Sequence, residues 1–97
     1  MATVAYSARA LANIEQAFEF LRDKSPPADF AATVVIRTAV ETLATHPLIG
    51  RRIERDLREL VISYGESGYI AVYRFLVTSD EVRVLAIRRQ REIGFIP

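Results

Sequence analysis

The chain has 97 residues, 51% of them hydrophobic, and its 13 Lys+Arg against 12 Asp+Glu leave a formal net charge of +1. That length suits one domain with a modest core and excludes two, and near-neutrality excludes the global positive field behind non-specific nucleic-acid binding. Cysteine is absent, so disulfides and thiolate metal sites are excluded as well.

The apolar content is slightly above the usual ~45–50%, which fits either a well-filled core or a groove normally covered by a partner chain. All the basic residues except Lys24 are arginine, and most follow Gly50. Arginine's planar fork suits carboxylate, phosphate and base edges, so part of this set reads as recognition groups. The start lacks a basic region followed by a long apolar run, and no segment reaches the ~18 apolar residues of a membrane span. A soluble cytoplasmic protein is the expectation.

Thr3 to Tyr6 alternates, with Val4 and Tyr6 on one face, and predicts an opening strand. Ser7 is placed to cap a helix carrying Leu11, Ile14, Phe18 and Leu21 at helical spacing, ending near Asp23 and Lys24. Ser25-Pro26-Pro27 breaks it and begins another, because proline in a first turn removes donors that lack partners. Ala32, Val35, Ile36, Ala39, Val40 and Leu43 form a broad stripe on this second helix, which runs to Thr45. Together the two predict an antiparallel helical hairpin. His46-Pro47 stops it, since the residue before proline is pushed out of helical geometry.

Leu48 to Asp56 reads as irregular and basic, with Gly50 free to take a positive φ. A three-stranded meander follows: Leu57 to Tyr64, the turn 65–68, Tyr69 to Val77, the turn 78–81, and Val82 to Arg89. In its middle strand Tyr69, Ala71, Tyr73, Phe75 and Val77 share one face. Ile70, Val72, Arg74 and Leu76 share the other. The order β-α-α-β-β-β predicts an α+β domain, 1–97, with the helical hairpin packed on one face of a small, mainly antiparallel twisted sheet.

Phosphate-binding glycine loops, nucleophile elbows and histidine metal motifs are missing, so no metal or cofactor is expected. His46, the sole histidine, sits at a helix end and reads as structural. Glu59 beside Arg58 reads as a surface ion pair. Tyrosines alternating along a strand read as core with hydroxyls at the rim. Arg74 is different: a guanidinium in mid-strand between Tyr73 and Phe75 needs an acidic partner or a ligand.

Taken in order, the opening strand, the helical hairpin, His46-Pro47-Leu48-Ile49-Gly50-Arg51-Arg52, Leu57-Arg58-Glu59-Leu60, Tyr69-Ile70-Ala71-Val72-Tyr73-Arg74 and Val84-Leu85-Ala86-Ile87-Arg88-Arg89-Gln90-Arg91 resemble the RelE/ParE superfamily of toxins from bacterial type II toxin–antitoxin modules. The resemblance covers nearly the whole chain. It implies a toxin silenced in a hetero-oligomer by a cognate antitoxin whose C-terminal segment folds as it wraps the toxin. Leu11, Ile14, Phe18 and Leu76 are the positions expected to line the antitoxin groove. Arg51, Arg52, Arg74, Arg88, Arg89 and Arg91 are the expected contacts to antitoxin or target.

Superfamily members divide by target: ParE-like toxins inhibit DNA gyrase, and RelE-like toxins cut messenger RNA on the ribosome. A metal-free ribonuclease must move protons as well as stabilise phosphate charge. Many relatives carry a histidine and a tyrosine near the end of the last strand, where this chain has Arg89 and Phe95. Both differences delete a titratable group, so the ParE-like reading is preferred. On the alternative, endoribonuclease reading, Arg74 and Arg89 would stabilise charge and Tyr73 or Tyr64 would donate a proton. A third reading is a non-toxic corepressor that only binds antitoxin.

Overall fold

A computed structural model describes residues 1–24, 26–64 and 67–90, apart from the side chains of 20–30 and 67. Ser25, the Leu21 side chain, the turn positions 65–66, Arg91 and Phe95, all singled out above, lie outside what is described. Two helices pack on a five-stranded mixed sheet. Strand β1 (Thr3–Tyr6) leads into α1 (Ala8–Lys24) and α2 (Pro26–Glu41), and β2 (Arg51–Glu54), β3 (Leu57–Tyr64), β4 (Ser67–Leu76) and β5 (Glu81–Arg89) complete the order. Across the sheet the strands run β1-β5-β4-β3-β2. The β1–β5 pair is parallel and the others antiparallel. No helix among the described residues is long and apolar enough to cross a membrane.

Ser7 caps α1 as its position predicts: its Oγ accepts the Ala10 N–H at 3.0 Å and donates to the Leu85 carbonyl at 2.9 Å. The cap therefore ties the helix start to β5. The α2 stripe is buried, with Ala32, Ile36, Val40 and Leu43 all in the core. The α-helix stops at Glu41, and a 3-10 turn over Thr42–Ala44 carries Leu43. Such tightening is common in a last turn, and it keeps Leu43 on the buried side while the chain turns towards Pro47.

Three expectations need correction. First, 51–54 is a strand, paired with β3 through Arg51↔Glu59 and Arg52↔Arg58. All four of its residues are exposed, so it carries no alternation for the sequence to reveal. Second, Gly68 lies in β4, opposite Ser63, while Val77 falls in the β4–β5 loop and is exposed. Third, the face that α1 lays on the sheet is Ala10 and Ala17, both buried, with Asn13 half-buried between them. The large residues sit to the side: Leu11 is exposed, and Ile14 and Phe18 are half-buried.

The core lies between the hairpin and the inner face of the sheet, where Ile62, Tyr69, Ala71, Tyr73, Val82, Val84 and Ile87 meet the α2 stripe. One irregularity decides what the end of β5 presents. Val72 pairs with Ala86 but Tyr73 pairs with Val84, so Leu85 is an extra residue, a β-bulge. The bulge shifts the alternation by one: Val82 and Val84 face the core before it, Ile87 and Arg89 after it.

Candidate functional site

Cross-strand pairing places each candidate on one face, because side chains directly opposite each other share a side of the sheet. Arg88 pairs with Ile70, and Arg74 with Arg83 and Leu57, all on the face away from the helices. Arg89 pairs with Tyr69, and Ile62 with Tyr69, on the helix side. The arginine cluster thus divides at consecutive residues. Four candidates for RNA cleavage fall apart in the same way: Arg74 lies outside, while Tyr64, Tyr73 and Arg89 lie on the helix side.

Tyr73 is fully buried. Its hydroxyl accepts the Gly50 N–H at 2.9 Å and donates to the Pro47 carbonyl at 2.8 Å. Burial holds its pKa above the ordinary tyrosine value, opposed by the Gly50 hydrogen bond and the Arg58 charge. Arg58 works beside it, donating to the carbonyls of Leu48 at 3.1 Å and Gly50 at 2.8 Å. Both side chains thus hold the 47–50 loop. Tyr64 packs against Tyr69, ring centroids 6.4 Å apart.

Several arginines expected to face a partner already have contacts inside the fold. Arg51 pairs with Glu59, which corrects the expected Glu59–Arg58 pair, since Arg58 and Glu59 point to opposite sides of β3. Arg52 Nε donates to the Arg55 carbonyl at 2.6 Å. Arg74 Nε lies 3.2 Å from Asp56 Oδ1. That contact is an ion pair without hydrogen-bond alignment, so this Nε is the buried side-chain polar atom left without a hydrogen bond among the described residues. Arg74 therefore finds the acidic partner its position in mid-strand demands.

Concave features remain beyond these contacts. Leu11, Ile14 and Phe18 line a shallow groove on the hairpin with Ala8 and Thr33. Leu76 is not part of it; it ends β4 opposite Glu81, at the other side of the sheet. A deeper cavity lies between α1 and the end of β5, lined by Asn13, Gln16, Tyr69, Arg88 and Arg89. His46 is exposed beside Leu48 and Ile49 at the loop. Among the described residues no cluster of metal-ligating side chains occurs.

A helical hairpin on a five-stranded mixed sheet is the fold of the RelE/ParE superfamily of type II toxins. Residues 4–94 match the family described as ParE toxin of type II toxin–antitoxin system, parDE, and the chain belongs to that family. It is 34% identical over 92 residues to Toxin RelE3 of Caulobacter vibrioides, covering 95% of this chain and 98% of that one. Toxin RelE1 of the same organism is 30% identical over 80 residues, covering 82% and 86%. Among solved structures, the chromosomal ParDE system from P. aeruginosa superposes with a TM-score of 0.74 at 19% identity, covering 92% of this chain and 96% of that one. The isolated E. coli RelE toxin superposes at 0.64 and 15%, covering 97% and 89%.

Proposed function

We propose that this toxin acts in the cytoplasm by binding DNA gyrase, without cutting RNA, and is held silent by a cognate antitoxin. The observation that carries the reading is that two of the four candidate nuclease groups, Arg74 and Tyr73, are already engaged within the fold, on opposite faces of the sheet. A cleaving site needs its charge stabiliser and proton donor within reach of one phosphate. Here Arg74 is paired with Asp56 on one face and the Tyr73 hydroxyl is committed to the loop on the other, which leaves Arg89 and Tyr64, both on the helix side, as the pair a nuclease would need. Binding to a protein target asks for none of that convergence.

The antitoxin segment is assigned to the groove of Leu11, Ile14 and Phe18, where Leu11 is exposed and Ile14 and Phe18 are only half-buried. A segment folding there gains from burying them, at about 25 cal/mol per Å², and Glu15 is the charged residue lining the groove. Arg51, Arg52, Arg88, Arg89 and Arg91 are the proposed contacts to antitoxin or target. One observation favours a second reading: both curated relatives carry the name RelE, which fits ribosome-dependent cleavage of messenger RNA.

Two assays separate the readings. Purified chain added to a DNA supercoiling reaction is expected to inhibit gyrase and to leave message intact in a translation extract. Ribosome-dependent cuts with undisturbed supercoiling would establish the nuclease reading instead. Normal growth on induction without antitoxin, with neither activity present, would leave the corepressor role.

A further inference from the structure

Leu48 and Ile49 are 58% and 60% exposed, and Val77, in the loop after β4, is 76% exposed. These large apolar side chains lie at the end of the sheet where β4 finishes and β5 begins. Together with His46, Pro47 and the half-buried Phe75, Leu48 and Ile49 line a cavity of about 440 Å³. The loop that carries them is held at several points. Tyr73 donates to the Pro47 carbonyl and accepts the Gly50 N–H, Arg58 donates to the carbonyls of Leu48 and Gly50, and the Ile49 N–H reaches the His46 carbonyl at 3.2 Å. A surface fixed in this way loses little conformational freedom when it docks.

The residues not described attach at the other end of the sheet. Positions 65–66 join β3 to β4 beside Tyr64↔Ser67, and 91–97 follow β5 beyond Arg89, which pairs with Tyr69. The α1–α2 junction lies towards the same far end, since α1 starts beside Leu85 and meets Ile87 at Asn13. Phe75 pairs with Val82, seven residues back from Arg89, which is about 23 Å along a strand. A segment the length of 91–97 would have to run back fully extended to reach it. Charge narrows the choice further. No Asp, Glu, Lys or Arg is among the described residues lining the cavity, although 26% of the chain is charged. An acidic segment or a nucleic acid finds no counter-charge there, whereas a copy of the same surface meets no like charge.

We propose that a second copy of this chain docks on this surface, giving a two-fold dimer. An isologous contact needs a patch that complements itself, and this one holds both halves: Leu48 and Ile49 as projecting side chains, and the cavity backed by Phe75 as their receptor. The lining residues fall well short of the ~20–30 a side of a standard interface, so the association is weak and follows concentration. The surface shares no residue with the groove of Leu11, Ile14 and Phe18 on α1. The dimer does not depend on whether gyrase or the ribosome is the target.

The test is sedimentation velocity on the purified full chain at pH 8, between about 10 µM and about 1 mM, the range of weak association. A dimer fraction that rises with concentration is expected. Ile49→Glu should stay monomeric throughout, while Val34→Glu, which puts the same charge on the exposed side of α2, should dimerise like the wild type. A second readout uses the absence of cysteine in the chain. Under a mild oxidant, Ile49→Cys should give a disulfide-linked dimer at least tenfold faster than Val34→Cys at equal concentration. A wild-type chain that is monomeric across the range would mean that the surface waits for a different protein. Dimers that survive Ile49→Glu would place the contact on another face, and equal loss in Val34→Glu or equal cross-linking of the two cysteine variants would show non-specific association. Any of these overturns the proposal.

Discussion

The Tyr73 hydroxyl accepts the Gly50 N–H at 2.9 Å and so joins the middle of the sheet to the loop that follows the helices. Because it also donates to the Pro47 carbonyl, one buried oxygen satisfies two backbone groups of a loop that has little other regular structure. Tyr73→Phe keeps the ring and deletes both bonds. Leaving a buried N–H unmet costs about 1–3 kcal/mol, so urea unfolding should show a loss in that range with an unchanged m-value. A loss below ~0.5 kcal/mol would mean that water replaces the hydroxyl.

Gly50 is required for space. A positive φ is the reason its sequence suggests, but its φ is not in that region, and a Cβ there would come within 2.6 Å of the Tyr73 ring and hydroxyl and 2.8 Å of the Glu59 carbonyl. Gly50→Ala is therefore expected to destabilise by about 1–3 kcal/mol, as overpacking does. Combined with Tyr73→Leu, which removes the ring, the alanine should cost less than it does alone, the Glu59 carbonyl contact being what remains. Simple additivity in that double-mutant cycle would count against the contact.

Much of this fold was legible because its signals are local. The Ser7 cap, the proline pair opening α2, and the α2 stripe from Ala32 to Leu43 all follow from residue type and spacing. What escaped depends on partners distant in sequence. β2 is wholly exposed, so its strand character comes from pairing with β3 alone. The bulge at Leu85 leaves no composition signal, yet it decides that Arg89 and not Arg88 faces the helices. Asn13 carries no signal in residue type or spacing, although its Oδ1 accepts the Ile87 N–H. Its role appears only once β5 is seen to outrun β1, whose pairing stops at Val84.

Leu43 is fully buried although it lies beyond the last α-helical residue. Leu43→Ala is expected to cost about 2–5 kcal/mol through the cavity it leaves. Val34, on the exposed side of α2, provides the contrast: Val34→Ala should stay within ±0.5 kcal/mol, as surface substitutions do. Similar losses at the two positions, measured by chemical denaturation, would contradict the direction in which α2 faces.

Burial raises the pKa of both Tyr69 and Tyr73 in the folded chain. In the unfolded chain these hydroxyls ionise near the ordinary value of about 10. The stability they confer is thus fully present below about pH 10 and is lost as pH rises through the folded values, because the unfolded state releases its protons first. Melting temperature followed by circular dichroism should fall on this alkaline side. Tyr73→Phe should fall less steeply over the same window, and an equal slope would remove Tyr73 from the account.

Ser7 joins two elements through a single oxygen. As an N-cap its replacement by alanine costs about 0.5–2 kcal/mol, but here the same Oγ also supplies the donor for the Leu85 carbonyl at the bulge. Ser7→Ala removes both interactions. Ser7→Asp keeps the acceptor for Ala10 and favours the helix N-terminus, yet cannot donate to Leu85 once ionised. If only the cap mattered, Asp would restore full stability at neutral pH. The expected outcome is partial recovery, together with faster amide exchange at the β5 residues beyond Val84 in both variants; full recovery with unchanged exchange would confine Ser7 to capping α1.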